Sequence, residues 1–480
     1  MLIIGMISRM KNILQQFLLF TIIVGLGVSA CAPINNSTNA APTSTINSAI
    51  ATSTPKISPT MTAVGSDDQP AEIPEGLTVK FWHPWSGELA NLMAEMADEF
   101  NQSNEWEIEI EVEFHSDEVV LIEDMNQAIT EGNPPELIAA PGYYLPSLEA
   151  NGFVLQDLQE FIESQEWGLP DDEVNSFLPL FWNADIQADK RIGIPAYQSG
   201  QFLFLNQSWA KELGFSEPLS NLDDFKNLTC KAGSTYLNDS DLTNNGTGGW
   251  VYTYNPNSFF SWLKSFGGGS GSDLENSNNL GSPEDIESGM YLYDLFLDNC
   301  TWIGRQQYPY EYFANRQALA YSGRMEDIQI QERVNELNKS TDLWSVIPYP
   351  SKIEKSILLV DGASYAITTQ DDEKALAAWL FVRWLLNPEN QVRIIEESGT
   401  FPLSDLAIRQ LTDYKKLHPV WAEALNYLPV AQKVPEDPNW GLTKEVLADL
   451  AWKLIQFNTK REDIPVIFQD AQILITEITR

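Results

Sequence analysis

Positive charge is scarce in this sequence: only 29 Lys and Arg stand against 67 Asp and Glu in 480 residues, a formal net charge of −38. That deficit excludes a phosphate-neutralising nucleic-acid surface and a polybasic membrane patch. It also disfavours a strongly anionic ligand, and otherwise describes a solvated, self-repelling surface. Histidine and cysteine are equally sparse. His83, His115 and His418, with Cys31, Cys230 and Cys300, show no zinc-ligand spacing, so no metal and no cofactor is expected. After residue 31, no apolar run reaches the roughly 20 residues that a membrane-spanning helix needs. Large apolar side chains are plentiful, with 43% hydrophobic residues and 15 Trp, enough for two domains with real cores.

Arg9 and Lys11 precede an apolar run from Phe17 to Ala30, the layout of a signal peptide. Val28-Ser29-Ala30-Cys31 resembles the lipobox of bacterial lipoproteins, although Val28 stands where Leu is commoner. In such proteins the cysteine thiol receives a diacylglycerol and the chain is cut before it. Residues 1–30 are therefore expected to be a lipoprotein signal peptide and Cys31 the lipidation site, with an ordinary signal as the alternative. The chain would be exported and lipid-anchored at the outer face of the cell membrane. Residues 31–73, rich in Ser, Thr, Asn, Ala and Pro, read as a disordered tether. In an exported chain the remaining pair, Cys230 and Cys300, is expected to form a disulfide; two buried free thiols are the alternative.

Beyond the tether the periodicity alternates. Leu77 to Trp82 is β-rich, and Ser86 is the expected N-cap of a helix with Leu89, Leu92, Met93, Met96 and Phe100 on one face. From Glu107 to Phe114, four apolar residues alternate with four glutamates, a strand with one solvated face. Val119, Ile122, Met125 and Ile129 predict another helix, and Glu136 to Ala140 a third strand. Strand and helix in alternation form a parallel α/β unit. Ser282-Pro283 opens a later helix, Thr369 is expected to cap another, and Asn387-Pro388 starts one that closes at Gly399.

Several segments, in this order, resemble the family 1 extracellular solute-binding proteins, a class that includes binders of maltodextrin and other carbohydrates. They are Val79 to Gly87; Gly132-Asn-Pro-Pro-Glu-Leu-Ile138, with Glu136 where Asp is usual; Gly152 to Leu158; and Gly193 to Asn206, with Phe204 where Tyr is frequent. Phe313 to Gly323, Asp361 to Ser364, Ala377 to Leu385 and Ser398 to Leu403 follow. The resemblance implies an α/β, two-lobed periplasmic-binding-protein-like fold of type II, joined by a hinge that the chain crosses repeatedly, with each lobe discontinuous in sequence. The expected division is 74–199 plus 323–369 for the N-terminal lobe and 200–322 plus 370–480 for the C-terminal lobe. A small solute, a sugar or oligosaccharide, would sit between the lobes and be delivered by a monomer to ABC transporter permease subunits, without catalysis.

Sugars offer C–H faces that stack on aromatic rings and hydroxyls that need polar partners. The candidate ligand residues are therefore Trp82, His83, Trp85, Tyr143, Tyr144, Tyr197, Trp250, Tyr252, Trp262, Arg324, Asp361, Ser364 and Tyr365. For each aromatic, core packing is the competing role. Arg324 is either an ion-pair residue or a contact for an acidic ligand group. Asp241 to Gly246 begins like a calcium loop, but Tyr252 stands where the bidentate Glu belongs, and Gly267 to Gly269 lacks the rest of a phosphate loop. Two further functional classes are a secreted glycoside hydrolase, needing paired carboxylates, and a ligand-sensing surface lipoprotein without a transport partner.

Overall fold

The computed structural model describes residues 76–216, 219, 221–269, 280–353 and 355–479. The expected signal peptide, Cys31 and the tether lie outside these residues. In the N-terminal lobe, β1 (Thr78–His83), α1 (Glu88–Ser103), β2 (Glu109–Phe114), α2 (Glu118–Glu131), β3 (Leu137–Pro141) and α3 (Tyr144–Ala150) follow the predicted alternation. β1 pairs in parallel with β2 on one side and β3 on the other. α1 buries Met93, Met96, Ala97 and Phe100, one helical stripe. Its N-cap is Gly87, at φ +64°, and not Ser86; no side chain caps this end. α2 is capped by Asp117, whose carboxylate accepts from the Val119 and Val120 N–H groups. It buries Leu121, Met125 and Ala128, so the expected stripe through Val119 is rotated away from the core.

A small hairpin, β4 (Ile186–Gln187) and β5 (Lys190–Arg191), leads into β6 (Ile194–Asn206). The C-terminal lobe then contributes α4 (Leu222–Leu237), β7 (Gly248–Tyr252), α5 (Pro256–Ser265), α6 (Pro283–Leu297), β8 (Thr301–Ile303), β9 (Ala318–Arg324) and β10 (Trp344–Ile347). Ser282 and Asp285 form the capping box of α6. The disulfide expected between Cys230 and Cys300 is present and ties α4 to the start of β8.

The strands run β2-β1-β3-β11-β6-β9-β7-β8, where β11 is Leu358–Ile367. β6 and β11 are antiparallel neighbours long enough to serve both lobes: β11 pairs with β3, and β6 with β9 and β10. They are the first two crossings. Where they touch, a Cβ on Gly362 would lie 1.8 Å from the Tyr197 carbonyl oxygen, so only glycine permits the approach. β12 (Ala431–Lys433), parallel to β11, is the third crossing.

The expected lobe boundary at 370 does not hold. α7 (Asp372–Leu386) places Phe381 5.8 Å from Phe81 and 5.2 Å from Phe100 by ring centres. Arg393 of α8 (Pro388–Ser398) donates to Glu99 of α1 at 2.8 Å. These helices complete the core of the N-terminal lobe, and the chain returns to the other lobe only through β12. There α9 (Trp440–Leu454) and α10 (Ile464–Ile478) join the second core. The cap of α7 is Asp371, in place of Thr369. Among the described residues, no helix is long and apolar enough to cross a membrane.

Candidate ligand cleft

In open α/β sheets, ligands gather outside the carboxyl ends of parallel strands. In the C-terminal lobe β7 ends at Tyr252, β8 at Ile303 and β9 at Arg324, and these ends open onto a cavity of about 600 Å³. Six tyrosines line it: Tyr252, Tyr254, Tyr308, Tyr310, Tyr312 and Tyr321. Tyr254 and Tyr308 are more than half exposed. The Tyr308 and Tyr310 rings stack nearly parallel, 3° apart in plane, while Tyr254 meets Trp452 edge-on. Gln201, Asn255, Gln306, Gln307 and Ser322 supply uncharged polar groups on the same walls.

At the inner end, Arg324 Nη1 donates to Asp361 Oδ1 at 2.7 Å and Nε to Glu326 Oε1 at 2.6 Å. Asn257 Nδ2 donates to the other Asp361 oxygen at 2.5 Å. Burial raises the Asp361 carboxyl, but Arg324, Lys444 and the Asn257 hydrogen bond outweigh it and hold the group below its usual range. Asp327 accepts from the Tyr310 hydroxyl at 2.6 Å and from the Arg324 N–H at 2.7 Å. Burial, with the Glu326 charge beside it, still pushes Asp327 up to about 6. The guanidinium is thus committed within the protein.

Asp361 also faces the N-terminal lobe, where it shares a small pocket with Glu118, Gly142 and Tyr143. Lys444, on α9 of the opposite lobe, sits 4.7 Å from the Tyr143 ring centre, a cation–π contact that spans the cleft. Burial raises the Glu118 carboxyl against the opposing pull of Lys444. A second groove of about 720 Å³ runs along α2, α3 and the start of α9. Its walls are helix flanks without converging strand ends, so the tyrosine-lined cavity is the better site.

Of the expected set, Tyr252 and Arg324 line this cavity, Tyr143 and Asp361 border the small pocket beside it, and Tyr197 lies against Trp85 at 6.1 Å between ring centres. The structure places the others elsewhere. His83 is fully buried and Trp85 is 9% exposed; their rings stack at 5.1 Å, and Trp85 also meets Phe81 and Tyr365. His83 Nδ1 accepts from the Trp85 N–H, and burial, then the nearby His115, pushes the imidazole down to about 4. Trp82 packs on His115 across the sheet. Tyr365 is core, Tyr144 donates to Asn126, and Ser364 donates to Asp185 at 2.6 Å. Trp250 and Trp262 are fully buried around Phe225 in the second core. They face inward because β7 and α5 are covered on that side by α4.

Residues that the sequence did not single out also line the cavity, namely Tyr254, Tyr308, Tyr310, Tyr312 and Tyr321, while Asn257 and Glu326 hold Asp361 and Arg324 beside it and Glu118 and Lys444 lie by Tyr143. The run Tyr308-Pro309-Tyr310-Glu311-Tyr312 carried a usable signal, since its three tyrosines alternate like a strand face while Pro309 argues against a central strand there. Asp241 closes a turn on Thr243. Among the described residues, no group of three or more His, Cys, Asp or Glu is placed to hold a metal ion.

The sequence profile described as "Bacterial extracellular solute-binding protein" matches residues 95–419. This chain belongs to that family. No curated protein matches it in sequence. In three dimensions it is similar to the cyclic alpha-maltosyl-1,6-maltose binding protein of Arthrobacter globiformis, with TM-score 0.68, 16% identity, and coverage of 84% of this chain and 99% of that one. It is also similar to the sugar-binding protein MalE of Xanthomonas citri, with TM-score 0.69, 15% identity, and coverage of 84% and 98%. An ABC substrate-binding protein of Listeria monocytogenes, solved in complex with cycloalternan, gives TM-score 0.68 at 16% identity, covering 84% and 99%. These likenesses establish the two-lobed fold.

Proposed function

We propose that this chain captures a neutral oligosaccharide between its lobes and delivers it to the permease subunits of an ABC importer. The observation that carries the reading is the tyrosine-lined cavity beside an internally neutralised Arg324. Rings and uncharged hydrogen-bonding groups suit a sugar's C–H faces and hydroxyls, and about 600 Å³ lies within the usual range for a ligand pocket. With Arg324 held by Asp361 and Glu326, little positive charge is left to attract an anionic ligand. The binding of oligosaccharides by the structural neighbours favours the same class. Lys444 reaching Tyr143 across the cleft supplies a contact that exists only when the lobes are together, so a ligand filling the gap would stabilise closure. The chain acts as a monomer without catalysis, exported and held at the membrane by a lipid on Cys31.

Calorimetric titration with linear and cyclic maltooligosaccharides tests the binding step. Saturable heat with an oligosaccharide recovered intact is expected. Heat only with polyamines or sugar phosphates would discard the carbohydrate reading, and recovery of a cleaved sugar would revive the hydrolase. Mass spectrometry of the mature N-terminus tests the anchor, where an unacylated Cys31 would remove it.

A further inference from the structure

The wall of the cavity beside β8 is built from a stretch with no helix or strand of its own. β8 ends at Ile303, the next helix starts at Tyr310, and residues 305–308 between them are all exposed. Such a segment ordinarily opens freely. Here it is tied down from within. The Tyr312 hydroxyl oxygen accepts from the Arg305 N–H at 2.9 Å and from the Gln306 N–H at 3.0 Å. The ring that carries it meets Trp302 edge-on, 4.9 Å between centres, and lies over Gly304, where an added Cβ would come within 2.8 Å of it. Gly304 thus leaves the room that lets one side chain reach two amides of the loop.

Tyr310 is held from another side. Asp327 and Gln331 stand one turn apart on the helix Asp327–Leu337 and so share a face. Asp327 Oδ1 accepts from the Tyr310 hydroxyl at 2.6 Å, and Gln331 Nε2 donates to the Tyr310 carbonyl at 3.2 Å. Burial, with the Asp327 charge beside it, pushes the Tyr310 hydroxyl up, so it stays protonated and donates. Gln331 is fully buried and is itself fixed by the Tyr321 hydroxyl, which donates to its Oε1 at 2.9 Å. Tyr308 then lies on the Tyr310 ring, with centres 5.5 Å and planes 3° apart, and remains 55% exposed. A ring gripped at both ends thus backs Tyr308, whose remaining surface is free to meet a ligand.

We propose that Tyr312, through its hydroxyl, and Tyr310, through Asp327, are positioning residues that preform this wall, so that the exposed ring of Tyr308 is set before the ligand arrives. The inference deepens the binding function proposed above and rests on it for the nature of the ligand. A wall ordered by the fold spares the ligand the entropy cost of fixing a loop, so two hydroxyls that need not touch the sugar raise the affinity for it. The fixed ring also selects, because a sugar must bring a C–H face to the place where Tyr308 stands.

Tyr312→Phe and Tyr310→Phe keep both rings and remove only the hydroxyls. In the ligand-free full chain, hydrogen–deuterium exchange of the Arg305 and Gln306 amides should quicken about tenfold in Tyr312→Phe, with β7 unchanged. Calorimetric affinity for maltooligosaccharides should fall about five- to tenfold in each variant. Weaker binding by Tyr312→Phe with both amides still protected would make the hydroxyl a direct ligand contact and overturn the proposal. Faster exchange at wild-type affinity would overturn it as well, since the wall would then not need its strap. If no maltooligosaccharide binds the wild type, the binding function fails, and exchange alone decides whether the hydroxyls hold the wall. If neither variant folds, the wild type decides: protection of amides 305 and 306 supports the strap, and exchange at the rate of an open loop refutes it.

Discussion

The two lobes place aromatic residues at the same topological position, the carboxyl end of a parallel strand, and treat them in opposite ways. In the N-terminal lobe, β1 runs into His83, Pro84 and Trp85, and the loop folds back so that the indole lies on the imidazole and against Phe81 and Tyr365. In the C-terminal lobe, β7 runs into Tyr252, Thr253 and Tyr254. Tyr252 is buried, its hydroxyl donating to the Ala451 carbonyl at 2.8 Å, while Tyr254 is 54% exposed at the cavity wall. One strand end is sealed by its aromatics and the other is lined by them. A ring at a strand end is therefore evidence of a ligand only when its neighbours leave a face uncovered.

The comparison breaks first if Trp85 proves to be a ligand residue. Trp85→Ala should cost about 3–5 kcal/mol of stability, read by urea denaturation, with oligosaccharide affinity of the folded protein nearly unchanged. The reverse pattern, weak binding with intact stability, would make the N-terminal strand end part of the site. Arg324→Gln should cost about 3 kcal/mol, because it strands Asp361 and Glu326 without their cation. That loss should shrink at acidic pH, where Asp361, no longer held down by Arg324, can take up a proton; a loss independent of pH would point to packing instead. His83 gives the N-terminal lobe its own signature. Its folded value of about 4 lies below the unfolded value of about 6.5, so the unfolded chain takes up the proton first. The His83 contribution should be full above pH 6.5 and fall by about 3 kcal/mol as pH drops toward 4. A His83→Gln variant should lose that slope, and an unchanged slope would show that the ring is not sealed.

Much of the fold was legible because its signals are local. Ile108, Ile110 and Val112 alternate within a few residues, Ser282-Pro283 announces a helix start, and the ordered motif segments carried the two-lobed architecture. The lobe boundary at 370 was not legible, because α7 looks the same from sequence whichever core it joins; Phe381 finds Phe81 and Phe100 only in three dimensions. The site divides likewise. Tyr143, in a turn, and Arg324 and Asp361, on β9 and β11, stand in or beside motif segments, and the structure brings them near the candidate cleft. Tyr308, Tyr310 and Tyr312 lie more than 50 residues from β7 and reach Tyr254 only through the adjacency of β7, β8 and β9. Trp250 and Tyr254 differ by where β7 stops, which periodicity fixes only to within a few residues.

The finest test of the contrast lies on the open side. Tyr254→Ala should weaken oligosaccharide binding about tenfold, or about 1.4 kcal/mol, while changing stability by less than about 0.5 kcal/mol. The two readouts separate because an exposed ring contributes little to the apo core but offers a whole face to a ligand. Trp452, which meets Tyr254 edge-on at 5.5 Å, orients that ring, so Trp452→Ala should produce a smaller loss in the same direction. If Tyr254→Ala binds like wild type while Tyr308→Ala does not, the sugar lies along the β8 side of the cavity, and the open strand end of β7 borders the ligand without holding it.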